Sequence, residues 1–267
     1  MKYMTFNSSC SYTGLANMLS TLGFDTEDRT IALEMGLPYF FVYENSCYQA
    51  GPSLQSAKWF NLYLNPRGFE LTEQFIPRSE IPDYLRTADT AMLGIHIGNG
   101  GKHAVVYTEM ESGCYQFLNN KWSHDPSAES FTLAEPELLK LVDDPCVVAT
   151  LHPIIPRSVT IEKQLEASCS VLEQYRQELH RICDETRPIV ELRSLLNPFF
   201  RALLLDGITM LQLLGEDQLT TTLSAIQVAL LRALRSDAKQ LRLSDHLDMD
   251  VLDSSITRYQ SIIQAKL

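Results

Sequence analysis

The stretch "FNSSCSYTGLANMLSTLG", residues 6–23, decides the fold because it places a cysteine at the start of an amphipathic helix. Apolar residues recur here at helical spacings, and Gly23 follows as a natural C-terminal cap. Ser8 and Ser9 precede Cys10, and serine is a residue that often caps a helix N-terminus. We therefore predict a helix over residues 10–22 with Cys10 in its first turn.

Cys10 has two interpretations. At a helix N-terminus, unpaired N–H groups and the positive end of the helix dipole stabilise a thiolate and lower the pKa of the thiol. Free cysteine is also among the most buried residue types, so Cys10 could instead fill a core. The choice depends on whether the fold brings a base to the thiol.

His103 is the candidate base, because it opens the segment "HAVVYTEM" directly after the glycine-rich turn "GNGGK". The next predicted strand, "CYQFLNN", ends in Asn119 and Asn120. Either amide could accept a hydrogen bond from the imidazole and fix its tautomer, although all three residues are also ordinary at strand ends and turns. We predict no catalytic role for the remaining histidines, which are His96, His124, His152, His180 and His246.

The order of predicted elements indicates an α+β fold for the first part of the chain. After the helix come four segments with strand-like composition, namely residues 91–97, 103–110, 114–120 and 145–154. A helix followed by strands with short connections is typical of an antiparallel sheet packed against helices.

Beyond Pro153 and Pro156 the periodicity becomes helical. Three amphipathic helices are predicted around residues 165–183, 219–234 and 251–263. Residues 188–214 are apolar on nearly every side, with a break at Asn197 and Pro198, which predicts a central helix surrounded by the other three. We therefore predict an α+β domain over residues 1–156 and an all-α domain over residues 157–267.

Residues 6 to about 155 resemble the papain-like cysteine enzymes, in which Cys, His and Asn occur in this order. The segment "HAVVYTEMESGCYQFLNN" is similar to the His and Asp/Asn strands of the double-glycine leader peptidases. The segment "CSYTGLANMLSTLGFDTEDRTIALEMGLPYFFVY" looks like the opening of the butirosin biosynthesis acyltransferase family. The resemblance implies that Cys10 is the nucleophile, His103 the general base and Asn119 the orienting residue. Asn120 is the alternative, because "NKW" resembles the Asn-x-Trp of papain.

One position departs from that pattern. Papain-like enzymes usually carry an oxyanion-stabilising Gln five or six residues before the cysteine, where this chain has Met4 and Thr5. Asn7, together with the Cys10 backbone N–H, is the candidate replacement, although its spacing differs. The aromatic stretch "PYFFVYENSCY" contains Tyr39 and Tyr43, which either line the substrate cleft or belong to a buried core segment.

The resemblance implies transfer of an acyl group from a thioester or amide to an amine or to water. A carrier protein that bears the acyl group or a peptide would be the substrate, and a cysteine peptidase of the leader-peptidase type is the alternative. A second class of function is a catalytically inactive binding or assembly protein, with the helical region as partner surface or homodimer contact. We predict no cofactor, and the scattered Cys and His residues predict no metal site.

The charge and composition of the chain limit the kinds of binding partner and the cellular location that we predict. The formal net charge of −11 argues against nucleic acid, and residues 1–156 carry −9 of it. That acidity favours a cationic amine acceptor, or serves solubility alone. The sequence shows neither a secretory signal nor a membrane-spanning apolar run, and its six cysteines contain no C-x-x-C pair. We therefore predict a soluble cytoplasmic protein with reduced thiols and no membrane contact.

Overall fold

The computed structural model describes residues 1–98 and 101–267, so Asn99 and Gly100 of the predicted glycine turn lie outside the described residues. Two compact units form: residues 1–35 with 55–159, and residues 36–54 with 160–267. The predicted boundary near residue 156 lies close to the end of the first unit. Residues 36–54, which the sequence placed in the first domain, pack with the second unit.

The helices and strands are numbered in chain order. The α-helices are α1 (Cys10–Thr21), α2 (Asp28–Glu34), α3 (Ala57–Leu64), α4 (Ile81–Thr87), α5 (Glu135–Leu141), α6 (Glu162–Asp184), α7 (Ile189–Ser194), α8 (Ile208–Leu214), α9 (Asp217–Leu234) and α10 (Met249–Gln264). The strands are β1 (Phe41–Glu44), β2 (Cys47–Ala50), β3 (Phe69–Ile76), β4 (Ala91–His96), β5 (Lys102–Glu111), β6 (Cys114–Asn119), β7 (Ser130–Ala134), β8 (Cys146–Pro153), β9 (Arg187–Pro188) and β10 (Gln240–Leu241).

The first unit is built on a six-stranded antiparallel sheet with the strand order β3-β8-β4-β5-β6-β7. The four strands predicted from the sequence are present as β4, β5, β6 and β8. Strands β3 and β7 were not predicted, because their residues are largely polar or exposed and lack a clear alternation. The fold is thus mixed helix and antiparallel sheet.

One face of the sheet carries the apolar core of this unit. Helices α4 and α5 bring Ile81, Leu85 and Leu138 to a cluster with Leu93 and Val105 from the central strands. All five side chains are essentially inaccessible to solvent, and burial of this kind contributes about 1.5–3 kcal/mol for each large aliphatic side chain. The packed face makes the central strands a rigid platform.

Helix α1 packs against β4 and β5. The approach is close at Gly14, where an added Cβ would lie 2.5 Å from Met92 Sδ and 2.8 Å from Asn120 Nδ2. Contacts that short do not occur for real side chains, so a residue larger than glycine would require the Met92 and Asn120 side chains to shift. Glycine at this position therefore lets the start of α1 lie beside the start of β5.

The second unit is mainly helical, with α6, α9 and α10 packed together, and it also contains the β1–β2 hairpin. The hairpin packs through aromatic rings, for Phe41 contacts Tyr175 at 5.2 Å between centroids and Tyr175 stacks on Phe199 at 4.5 Å. The apolar stretch predicted as one broken helix consists of α7, two π-helical segments over Leu196–Phe200 and Ala202–Gly207, and α8. In the described part of the chain, no helix has the length and apolarity needed to cross a membrane.

Candidate active site

Cys10 is the first residue of α1, and a bonded network of polar side chains fixes the turn that precedes it. Ser9 occupies the N-cap position, but its Oγ donates to Asp28 Oδ2 at 2.7 Å and caps no helix N–H group. The expectation that a serine side chain caps this helix is therefore wrong for Ser9. The carboxylate of Asp28 also accepts hydrogen bonds from Thr5 N at 2.7 Å and from Thr13 Oγ1 at 3.3 Å. These contacts tie the chain before and after Cys10 to one buried group.

His103 lies near the start of β5, and its Nε2 is 2.9 Å from Asn119 Oδ1. The Asn119 amide is itself oriented, because its Nδ2 donates to Ser127 Oγ at 3.1 Å and to the Ala128 carbonyl at 3.0 Å. An amide that donates through Nδ2 presents Oδ1 as an acceptor, so the His103 Nε2 carries the proton in this contact. The other ring nitrogen, Nδ1, then remains for the thiol of Cys10, which lines the same cleft and interacts electrostatically with this ring.

The Asn120 side chain makes different hydrogen bonds from those of Asn119. Its Nδ2 donates to the Ala104 carbonyl at 2.9 Å, and its Oδ1 accepts from Asn17 Nδ2 at 2.9 Å. Because neighbouring strand residues point to opposite sides, Asn119 reaches the imidazole while the buried Asn120 joins α1 to β5. Of the two asparagines left open by the sequence, the structure brings Asn119 to His103.

The electrostatics of the pair favour the charged forms. Burial raises the pKa of the Cys10 thiol, but hydrogen bonds from His103 and from the Ala104 backbone outweigh burial and leave this pKa below its ordinary value. Burial lowers the pKa of His103, whereas its interaction with Cys10 and its hydrogen bond to Asn119 bring it above the ordinary value. A lowered thiol pKa and a raised imidazole pKa both shift the pair toward the thiolate and imidazolium forms.

The two side chains open onto a cleft of about 220 Å³ within the first unit. Its lining combines the polar groups of the pair with side chains from β3, β4 and β8 and with a residue that shortly precedes α3. The lining residues are Cys10, Ser11, Gln55, Glu73, Met92, Leu93, Gly94, Lys102, His103, Ala104, Val147 and Ala149. An added Cβ at Gly94 would touch nothing within 4 Å, so the cleft is open above this residue.

The other three predicted site residues are Asn7, Tyr39 and Tyr43. Asn7 is exposed and does not line the cleft. Tyr39 and Tyr43 belong to the second unit, where Tyr43 contacts Tyr48 at 4.7 Å between ring centroids and Lys266 lies over the Tyr39 ring. A role for these two tyrosines in substrate binding stays a prediction.

Two residues of this site were not predicted from the sequence. Asp28 is wholly buried, yet it lies in the acidic segment "DTEDRT", which has the composition of an exposed helix start. Gln55 lines the cleft and its Oε1 accepts from Ser11 Oγ at 2.7 Å, although 45 positions separate it from Cys10 in the sequence. Neither residue carries a local signal, since each acquires its role only when distant segments meet.

Metal-binding chemistry has no obvious location in the described residues. Across residues 1–98 and 101–267, no three His, Cys, Asp or Glu side chains are grouped so as to hold a metal ion. A larger hollow of about 490 Å³ in the second unit is lined by residues such as Glu216, Asp250 and Arg258, with neither cysteine nor histidine in its wall. The cleft at Cys10 holds a thiol and an imidazole that Asn119 orients, and it is the candidate active site.

Comparison with known proteins gives partial structural similarity. No protein-family model matches the chain, and no curated protein matches it. The peptidase domain of Streptococcus ComA, a bi-functional ABC transporter involved in quorum sensing, is similar with a TM-score of 0.43 and 11% identity, over 57% of this chain and 96% of that domain. The Streptococcus mutans ComA peptidase domain gives a TM-score of 0.32 and 12% identity, over 46% and 87%. The Pseudomonas avirulence protein AvrPphB gives 0.30 and 11%, over 54% and 90%. Similarity at this level assigns neither an activity nor site residues to this chain.

Proposed function

We propose that the first unit is a papain-like, thiol-dependent acyl-transfer enzyme in which Cys10 is the nucleophile. The observation that carries this proposal is that Cys10 and His103 line one cleft and interact electrostatically, while Asn119 Oδ1 lies 2.9 Å from the His103 Nε2. A nucleophile, a base within hydrogen-bonding reach and a third group that orients the base are the parts that covalent catalysis requires. The lowered pKa of Cys10 and the raised pKa of His103 support the same assignment.

The chemistry follows from the positions of these groups. The Cys10 thiolate attacks the carbonyl carbon of a thioester or amide and forms a tetrahedral intermediate. As the carbon–sulfur or carbon–nitrogen bond to the leaving group breaks, the His103 imidazolium gives that group its proton. The imidazole then removes a proton from an amine or water, which attacks the acyl-enzyme and releases Cys10. Asn119 keeps the ring in one tautomer and orientation through both steps.

Transfer to an amine is preferred over simple hydrolysis on the basis of the resemblance to the butirosin biosynthesis acyltransferases. A peptidase of the double-glycine leader type is the second candidate, and a carrier-bound thioester or a peptide is the corresponding substrate. An inert scaffold is disfavoured, because a thiol and an imidazole that share a cleft and shift each other's pKa bring no evident benefit to folding.

The first test is selective alkylation. Treatment with iodoacetamide at about pH 6 is expected to label Cys10 at least about tenfold faster than the other five cysteines, since the thiolate is the reactive form. Burial raises the pKa of Cys146 to about 11 and that of Cys183 to about 12, so these thiols serve as internal slow references. Mass spectrometry of the labelled peptides gives the rates. Labelling of Cys47 or Cys114 as fast as Cys10 would refute the proposal.

A second assay distinguishes transfer from hydrolysis. The thioester S-acetyl-N-acetylcysteamine is expected to add one acetyl group to Cys10, which intact-mass measurement detects. A chase with n-butylamine or with water alone then shows which acceptor discharges the acyl-enzyme. Faster discharge by the amine supports a transferase, and discharge unaffected by amine supports a hydrolase.

The charge at the cleft supports a cationic acceptor. Glu73 lines the cleft and is exposed, whereas the neighbouring cation Lys102 is engaged by Asp143. The carboxylate of Glu73 is thus available to a positively charged group of the acceptor. Such a partly solvated ion pair contributes about 0.2–1 kcal/mol.

Glu73→Gln is therefore expected to raise the KM for putrescine about two- to fivefold, because the second ammonium group of this diamine loses its counter-charge. The KM for n-butylamine, which has no second cation, should stay unchanged. Glu109→Gln, at an exposed position of β5 outside the cleft, is the matched control. Equal effects on both amines would exclude charge recognition by Glu73.

A further inference from the structure

The proposed reaction needs hydrogen-bond donors for the oxyanion that forms when a thiolate attacks a carbonyl. The start of α1 supplies one donor. The first helical hydrogen bond runs from Thr13 N to the Ser9 carbonyl at 2.8 Å, so the N–H group of Cys10 has no acceptor within the helix. A single donor is a weak oxyanion site, and the exposed Asn7 does not line the cleft.

Gln55 is placed to supply a second donor. It is exposed at the cleft, and its Oε1 accepts a hydrogen bond from Ser11 Oγ at 2.7 Å. Ser11 follows Cys10 in the first turn of α1 and is itself buried, so it fixes the Gln55 amide against the helix start. Because Oε1 is directed to Ser11, the Nε2 group and its two N–H donors are left for another acceptor.

We propose that Gln55 Nε2 and the Cys10 backbone N–H together bind the oxyanion, and that Ser11 is the positioning residue that orients Gln55. This inference rests on the proposed acyl-transfer function. It assigns the oxyanion donor to a residue that follows Cys10 by 45 positions. The amide is held before substrate binds, which is the condition under which such donors stabilise a transition state effectively.

The acetylation of Cys10 by S-acetyl-N-acetylcysteamine tests this assignment under single-turnover conditions. In this step a sulfur–carbon bond forms at Cys10, the bond to the cysteamine sulfur breaks, and the leaving thiolate takes its proton from His103. Gln55→Ala and the similarly sized Gln55→Met are each expected to slow acetylation about 100-fold, in keeping with the loss of one oxyanion donor. Ser11→Ala should slow it less, because Gln55 keeps its donors and loses only its orientation.

Alkylation provides the readout that separates catalysis from structure. Iodoacetamide reacts with the thiolate by displacement of iodide and forms no oxyanion, so its rate with Cys10 should change less than about threefold in both Gln55 variants. Gln74→Ala, at an exposed position of β3 outside the cleft, is the control for both assays.

The outcomes are distinct for the two proposals. If the unaltered protein is neither selectively alkylated nor acetylated at Cys10, the proposed function itself fails. If it is acetylated, but both Gln55 variants react at its rate or lose alkylation in parallel, the assignment of Gln55 is overturned. Slow acetylation in Asn7→Ala with normal acetylation in the Gln55 variants would transfer the role to Asn7.

Discussion

His103→Ala is expected to slow the alkylation of Cys10 at about pH 6 by about 10- to 100-fold. The interaction with His103 is the largest of the effects that lower the pKa of this thiol, so its removal moves the pKa back toward the ordinary value. An ordinary thiol with a pKa near 8.5 is thiolate in only roughly 0.3 per cent of molecules at pH 6. The slower alkylation therefore reflects a smaller fraction of thiolate, and it does not depend on any effect of the substitution on proton transfer.

The direction of the pH dependence follows from the same pair. A thiol with a lowered pKa reacts from a lower pH upward, and the His103→Ala variant should show its alkylation curve displaced to higher pH. Rates of iodoacetamide labelling between about pH 5 and pH 9 give both curves. His246→Ala, an exposed histidine of the second unit, should leave the curve in place. An unshifted curve for His103→Ala would show that the imidazole does not polarise Cys10.

Asp28→Ala is expected to reduce the free energy of unfolding of the first unit by about 3–5 kcal/mol. The wholly buried carboxylate accepts hydrogen bonds from the backbone and hydroxyl of Thr5, from Ser9 Oγ and from Thr13 Oγ1. Its removal leaves these donors without an acceptor, and a buried unsatisfied donor costs about 1–3 kcal/mol. Some relaxation of the hydroxyl groups keeps the total below the simple sum.

Urea unfolding followed by tryptophan fluorescence measures this loss, because the only two tryptophans, Trp59 and Trp122, both belong to the first unit. Asp28→Asn retains one acceptor oxygen and should lose less. Asp25→Ala removes an exposed carboxylate that pairs with Lys2, and it should change stability by less than about 0.5 kcal/mol. A loss in Asp28→Ala no larger than in Asp25→Ala would show that the network does not stabilise the helix start.

Local patterns in the sequence predicted the elements that carry the site. Helix α1 and strands β4, β5, β6 and β8 lie within a few residues of their predicted bounds, because their apolar residues follow the period of a helix or form a buried strand. The proximity of Asn119 to His103 follows from the pairing of β5 with β6, in which Val105 is opposite Asn119.

The contacts that the sequence did not predict depend on long-range packing. Asp28 and Gln55 are polar residues in segments of ordinary composition, and nothing local distinguishes a buried acceptor from a surface one. The placement of residues 36–54 in the second unit has the same origin, since the aromatic residues of the hairpin pack against α6 and its neighbours. Periodicity reports which side of an element is apolar, but not which distant element covers it.

The strand order of the sheet has a consequence for the timing of synthesis. Strand β8 lies between β3 and β4, so the sheet cannot close before residue 153 has left the ribosome. At 5–20 residues per second, the Cys10 thiol waits roughly 7 to 30 s before the walls of its cleft are complete. The part of the cleft wall that β8 supplies, Val147 and Ala149, is therefore synthesised after the helix that carries Cys10 and the strand that carries His103.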